Sequence, residues 1–258
     1  MELAELSIKE IREKIEKLDE VPKDFLEWMK ADPRKGVQDL VRQVEAAVAR
    51  REKLAAMWTE MTQYERVMRE KGHVHVFGVD EVGRGPLAGP VVASAVCLPS
   101  DFYLPGLNDS KKVPAATREA FCEVIMRDAL AVGIGIVDAA RIDAINILEA
   151  TKEAMHLAIK NAGLAPDVCL LDAVQLPGLA CEQLPIIGGD AKSVSIAAAS
   201  IVAKVTRDSM MTEYASQYPE YGFDKNAGYG TAEHLAAIQR YGPTPIHRMT
   251  FTGVKEQA

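Results

Sequence analysis

Val74-His75-Val76-Phe77-Gly78-Val79-Asp80 runs on into Glu81-Val82-Gly83-Arg84-Gly85-Pro86, and the reading of the fold turns on this stretch. Its first half alternates towards the period of a half-buried strand. The strand then runs out in two adjacent carboxylates and a turn with an arginine between two glycines. Sheets of α/β proteins present their sites at the C-terminal ends of strands. Neighbouring side chains in extended chain point to opposite faces, so Asp80 and Glu81 are expected to converge through the strand ending there. Glycines in the turn let backbone approach a ligand closely, with Arg84 adding a cation.

Downstream, strands are expected over 89–98, 129–137, 168–172 and 183–187. Helices are expected over 115–128, 145–161, 193–216 and 232–241. Strands come first in succession and then alternate with helices. That order predicts an α/β domain with a central mixed sheet flanked by helices.

Upstream of Gly72 the texture is different. Residues 1–71 contain one glycine, Gly36, and read as helix throughout. Ser7-Ile8-Lys9-Glu10 has the pattern of a capping box, with Leu6 placed as a staple residue. Ile8, Ile11, Ile15 and Leu18 form one apolar face, and Pro22 is expected to end that helix. A short helix through Phe25, Leu26 and Met29 follows. Asp32-Pro33 reads as a cap with proline at the first helical position. From about 37 to 70 a long helix is expected. Its seam runs through Leu40, Val44, Ala47, Arg51, Leu54, Trp58, Met61, Glu65 and Met68, a heptad with two charged breaks. The chain thus divides into an all-helical accessory region, 1–71, and an α/β domain, 72–258, in which the catalytic residues are expected.

Composition excludes several classes. With 258 residues, 48% hydrophobic and 26% charged, the chain is neither disordered nor a disulfide scaffold. No run approaches the ~20 apolar residues of a membrane helix, and the N-terminus lacks a signal-peptide pattern, so a cytosolic monomer is expected. Cys97, Cys122, Cys169 and Cys181 contain no CxxC and read as reduced thiols. The net charge of −7 argues at first sight against a nucleic-acid partner. The charge is uneven, however. Residues 1–72 hold 15 Lys+Arg and 16 Asp+Glu, and residues 73–258 hold 15 and 21. The acidic excess lies in the larger region.

Part of that excess falls at expected strand ends. Asp172 closes the apolar run Val168-Cys169-Leu170-Leu171, where a carboxylate must be paired, protonated or metal-bound. Asp190 follows Ile186-Ile187-Gly188-Gly189 and precedes a helix, so it reads equally as an N-cap. Asp80, Glu81, Asp172 and Asp190 together form an oxygen-only set, which selects Mg²⁺ or Mn²⁺ over zinc. Two such ions activate a water and stabilise a leaving oxygen in phosphodiester hydrolysis. Asn108-Asp109-Ser110-Lys111-Lys112 forms a turn, and Lys192, Lys204 and Arg207 lie on or beside one helix. Such cations fit phosphate contacts, although singly they read as solvated surface. The small residues of 196–203 suggest a helix packed closely on the sheet. Tyr229, between Gly228 and Gly230, is placed to stack on a sugar or base. His73 and His75 read as structural, and His247 is open.

These motifs resemble bacterial ribonuclease HII, a type 2 ribonuclease H. The resemblance rests on DEVGRGP (80–86), NDSKK (108–112), NIL-x-AT-x-x-AM (146–155), LLDA (170–173), GGDAKSVSIAAASIVAKVTRD (188–208), GYGTAEH (228–234) and HR-x-x-F (247–251). It implies an RNase H-like fold and cleavage of the RNA strand of RNA–DNA hybrids. It also implies nicking 5′ to single ribonucleotides in duplex DNA, with Mg²⁺ or Mn²⁺. By that resemblance Asp80, Glu81, Asp172 and Asp190 are the metal ligands, and Gly83, Arg84 and Gly85 read the ribose 2′-hydroxyl. Tyr229 senses the junction to DNA, while Asn108, Lys111, Lys112 and Lys204 contact substrate. Ala173 stands where many relatives have glycine. The region 1–71 is similar in length to extensions of some Gram-positive members.

Two other readings are weighed. One is a related two-metal nuclease acting on branched DNA. The other is a non-enzymatic nucleic-acid or partner-binding protein in which the acids are structural caps.

Overall fold

The computed structural model describes residues 6–18 and 20–256. Packing divides the chain into two units, Met1–Met57 and Trp58–Ala258.

In the first unit α1 (Ile8–Glu16) starts at a complete capping box. Ser7 accepts the Glu10 N–H, while the Glu10 carboxylate accepts the Ser7 N–H at 2.8 Å. Leu6 and Ile11 are buried together with Phe25, Met29, Val37, Leu40 and Val41. α1 stops six residues short of Pro22, which instead precedes α2 (Lys23–Ala31). Asp32 closes α2, and its carboxylate accepts the Arg34 N–H at 2.9 Å. The long helix α3 (Lys35–Met61) therefore starts two residues beyond Pro33.

The expected helix to residue 70 is interrupted at Thr62, whose hydroxyl donates to the Thr59 carbonyl at 3.1 Å. α4 (Gln63–Glu70) follows. The heptad seam is buried at Leu40 and Val44 and again at Trp58, Met61, Glu65 and Met68, while Ala47 and Arg51 are exposed. Met68 packs with Val76, Val168, Leu170, Ile186 and Ile196. Composition changes at Gly72, but packing changes at Trp58, because α4 contributes apolar surface to the sheet.

The sheet of the second unit holds β1 (Val76–Val82), β2 (Val91–Cys97), β3 (Ala131–Val137), β4 (Val168–Asp172) and β5 (Glu182–Ile186). Their order is β3-β2-β1-β4-β5. β1–β2 and β2–β3 are antiparallel, while β1–β4 and β4–β5 are parallel, giving the mixed sheet. α5 (Ala115–Asp128) links β2 to β3. A further short helix, α6 (Ala139–Ile145), precedes α7 (Ile147–Asn161), which is the helix expected over 145–161, shortened by two residues. Asn146 separates them at φ +67°, and its side chain caps α7 by accepting from Leu148 and Glu149.

α7 packs on β1, β2 and β3, and α8 (Val194–Gln217) packs on β1, β2 and β4. Their close approach explains two glycines. A Cβ on Gly78 would lie 2.0 Å from the Ser195 carbonyl carbon, and one on Gly135 would lie 1.9 Å from the Ala154 carbonyl oxygen. The run 196–203 is almost wholly buried against the sheet, as its small residues suggest. After α8 come α9 (Phe223–Asn226), α10 (Ala232–Tyr241) and a C-terminal segment. His247 of that segment bridges to Ala88.

Candidate active site

β1 pairs with β4 only as far as Val79 opposite Leu171. Beyond that point β1 stays with β2 through Val82, while β4 stays with β5 through Asp172. The strands part at the C-terminal end of the parallel pair, where such sheets hold their sites. Asp80 and Glu81 lie on one side of the opening and Asp172 on the other. The expectation that the strand ends at Asp80 is not met, since Asp80 and Glu81 are both paired residues of β1, opposite Ser94 and Ala93.

Asp80 is buried on the face that carries α8. Burial, then the Glu81 and Asp172 charges, push its carboxyl well above the usual carboxylate range, against a hydrogen bond from Ser200. The Ser200 hydroxyl in turn stands 3.0 Å from that of Ser110. Glu81 is raised by burial and Asp172, while Arg84, 3.2 Å from Oε1, lowers it. Its other oxygen, Oε2, is buried without a partner. Asp172 accepts the Gly189 N–H at 2.8 Å, which ties β4 to the turn of 189–191 that carries Asp190. The N-cap of α8 is Ser193, so Asp190 does not cap the helix. Asp190 is raised by burial, then by Asp109 and Asp172, and lowered by Lys111.

The charge of Asp172 thus reaches Asp80, Glu81 and Asp190 alike, and Asp109 of the 108–112 turn joins them at Asp190. Among the described residues no three His, Cys, Asp or Glu side chains close a ready-made metal cage. The donor chemistry nonetheless fits a hard divalent cation. The candidate donor atoms are all oxygens, Glu81 Oε2 has no hydrogen-bond partner among the described residues, and Arg84, Lys111 and Lys112 offset part of the negative charge.

A second group lies beside the acids. The 83–90 loop is held to the 227–229 turn, with the Leu87 N–H donating to the Gly228 carbonyl at 2.8 Å. A Cβ on Gly85 would be 3.6 Å from the Tyr229 ring, so the Gly-Arg-Gly turn and Tyr229 share one surface. Tyr229 is half exposed, and Arg84 is exposed. Lys111 and Lys112 are exposed on the 108–112 turn, where Asn108 turns its side chain onto the Asp109 N–H at 2.8 Å.

The other expected cations do not join this surface. Lys204 is paired with Asp208 at 2.7 Å, and Lys192 donates to the Ile187 carbonyl at 2.7 Å. Arg207 is fully buried, its guanidinium on the carbonyls of Ala88, Pro90 and Ala227, so it cannot meet a phosphate. His73 is paired with Glu182 at 3.0 Å, consistent with a structural role. The sequence reading missed Asp109, Ser110 and Ser200 beside the acids. Asp109 and Ser110 stood between residues read for their lysines, and Ser200 stood in a run read only for its size.

The family model described as Ribonuclease HII matches residues 77–254, and the one for the Ribonuclease HII N-terminal domain matches 7–69. The chain is 53% identical to Ribonuclease HII of Bacillus subtilis (strain 168) over 250 residues, covering 97% of this chain and 98% of the relative. Among solved structures, ribonuclease H2 from Pyrococcus horikoshii OT3 matches with TM-score 0.59 at 26% identity, over 70% of this chain and 95% of that one. Bst-RNase HIII in complex with Mn²⁺ matches with TM-score 0.57 at 18% identity, over 71% and 69%.

The mixed sheet with acids at its parting strands is thus that of an RNase H-like phosphodiester hydrolase. The chain belongs to the ribonuclease HII family, the type 2 enzymes that act on RNA paired with DNA. The non-enzymatic alternative is thereby set aside. Among the described residues no helix is long and apolar enough to cross a membrane.

Proposed function

We propose that this enzyme cleaves the RNA strand of RNA–DNA hybrids and nicks 5′ to single ribonucleotides embedded in duplex DNA. It does so with two Mg²⁺ or Mn²⁺ ions held by Asp80, Glu81, Asp172 and Asp190. The observation that carries this reading is the gathering of Asp80, Glu81 and Asp190 round the charge of Asp172 at the parting of β1 and β4, with Glu81 Oε2 buried and without a hydrogen-bond partner among the described residues. Divalent ions bound there supply an activated water and stabilise the leaving oxygen. Bst-RNase HIII, a fold relative, is described in complex with Mn²⁺.

The chain's own residues do the rest. Ser200 and the Gly189 N–H hold Asp80 and Asp172 in place. Backbone donors of Gly83, Arg84 and Gly85 face the ribose 2′-hydroxyl, the group that separates RNA from DNA. Tyr229 stacks on the sugar beside the junction. Lys111, Lys112 and Asn108 meet phosphates and fix the register of the strand. Lys204 enters that set only by giving up its pairing with Asp208. Products carry 5′-phosphate and 3′-hydroxyl.

The region 1–71 is assigned as accessory and 72–258 as catalytic, with 58–71 packed as part of the catalytic unit. The test compares a DNA duplex carrying one ribonucleotide with the same duplex made wholly of DNA, each with Mg²⁺ or Mn²⁺. A nick only at the ribonucleotide, lost in Asp80→Asn, supports the reading. Cleavage of an all-DNA branched substrate with no nick at the ribonucleotide overturns it in favour of the branched-DNA nuclease.

A further inference from the structure

The turn 83–85 is gripped from inside by a residue more than 160 positions away. Arg248 is fully buried, and among the described residues its guanidinium has no carboxylate partner. Nε donates to the Gly89 carbonyl at 3.0 Å and Nη2 to the same oxygen at 2.9 Å. Nη2 also donates to the Gly83 carbonyl, and Nη1 to the Arg84 carbonyl at 2.9 Å. Phe251 packs its ring against the guanidinium at 5.0 Å. A buried cation spent wholly on backbone carbonyls of one loop is costly to keep unless the loop's geometry matters.

That geometry follows from the planar trans peptide, in which C=O and the next N–H point in opposite directions. No peptide bond among the described residues is cis. With the Gly83 and Arg84 carbonyls turned inward onto Arg248, the N–H groups of Arg84 and Gly85 are turned outward. Among the described residues neither N–H has an acceptor. They open beside the Tyr229 ring, and the Arg84 side chain next to them reaches Glu81. Two adjacent free donors therefore border both the junction-stacking tyrosine and one of the four acids.

We infer that Arg248 is a positioning residue for ribonucleotide discrimination: by drawing two carbonyls inward it aims the Arg84 and Gly85 N–H groups at the 2′-hydroxyl. The inference rests on the proposed role of the 83–85 turn and adds what sets its direction. Lysine cannot replace Arg248, because one ammonium lacks the fixed fork that reaches three carbonyls at once.

The test measures equilibrium binding of two duplexes, identical except for one ribonucleotide, with Ca²⁺ in place of the activating metal. Full-length wild type and Arg248→Lys are compared, with thermal melting to show that the variant is folded. Wild type is expected to prefer the ribonucleotide duplex. Arg248→Lys is expected to lose about tenfold of that preference, the worth of roughly one to two hydrogen bonds, while its affinity for the all-DNA duplex is unchanged. A merely structural role would weaken both affinities together.

A folded Arg248→Lys with the wild-type preference overturns the inference. A wild type with no preference instead overturns the proposed function itself. Should Arg248→Lys not fold, amide resonances of the wild type decide. Those of Arg84 and Gly85 are expected to shift with the ribonucleotide duplex and not with the all-DNA one. Their indifference to both overturns the inference.

Discussion

His234 and His247 face each other with their Nε2 atoms 3.0 Å apart, buried beneath the Tyr229 turn. The surrounding partners fix the tautomers. His234 Nδ1–H donates to the Tyr229 carbonyl at 2.9 Å, which leaves its Nε2 as acceptor. His247 Nδ1 accepts the Thr244 N–H at 2.9 Å, which leaves its Nε2–H as donor. One proton is shared between two neutral rings.

Both rings resist protonation. Burial lowers His234, and burial with the neighbouring His234 lowers His247 to about 4. A free histidine titrates near 6.5, so between about 6.5 and 4 the unfolded chain binds protons that the folded one refuses. This contribution is complete above the unfolded value and is lost as pH falls through that window. Urea unfolding at pH 7 and pH 5 is expected to show the loss. His247→Gln, which keeps a neutral hydrogen-bonding side chain, is expected to show a shallower slope. An equal slope in both proteins would overturn the assignment.

Glu65 of α4 accepts the Ser193 hydroxyl at 2.6 Å and the Ser195 N–H at 2.9 Å, capping α8 at its start. A fragment beginning at residue 58 keeps this cap and Met68, whereas one beginning at 72 loses both. The shorter fragment is expected to melt at a lower temperature. In the full chain Glu65→Ala leaves buried donors unmet and is expected to cost about 1–3 kcal/mol. Thermal melting of the two fragments, the full-length wild type and Glu65→Ala checks both points, and equal melting of the fragments would return the boundary to Gly72.

The same residue shows where the sequence could be read and where it could not. β4, α5 and α10 fall on the expected bounds because each carries its own period and its own stops. The four acids drew notice because each follows a local strand pattern, although Asp80 and Glu81 lie within β1 and Asp190 lies in the turn beyond β5. Glu65 was seen only as a break in a heptad, since its partners are 128 and 130 residues away. Arg207 and Arg248 were unreadable for a related reason. A buried arginine held by carbonyls carries no pattern that separates it from a surface cation. The short helix α6 went unread, and its separation from α7 depends on one left-handed residue, Asn146, that no periodicity signals.

Ala173 follows the third acid at φ +52°, in the left-handed region. Its N–H donates to the Ile186 carbonyl at 3.1 Å, so the turn is fixed by pairing rather than by residue preference. A Cβ in this region costs about 1–2 kcal/mol, of which glycine's greater unfolded-state freedom returns about half. Ala173→Gly is expected to raise stability by up to about 1 kcal/mol and to leave cleavage unchanged. Denaturant titration reads the first and a nicking assay the second. A destabilised variant would mean that the Ala173 methyl has a packing role.

Without bound cations the acids oppose folding at neutral pH. Asp80, Glu81 and Asp190 all have folded-state pKa values raised above the ordinary carboxylate range, chiefly by burial and then by other acids, apart from the relief Arg84 gives Glu81. The folded chain therefore holds protons that the unfolded chain has released. Stability from these groups is greatest below about pH 4 and declines as pH rises through their raised values. Divalent ions reverse the decline by supplying the missing positive charge. In chelator at pH 8, Asp80→Asn is expected to be more stable than wild type, because a buried carboxylate charge beside Glu81 and Asp172 is gone. Adding Mg²⁺ is expected to stabilise wild type more than the variant, with turnover present only in the former. A variant less stable than wild type in chelator would mean that the ionised Asp80 carboxylate holds the β1 edge through Ser200, rather than waiting for metal.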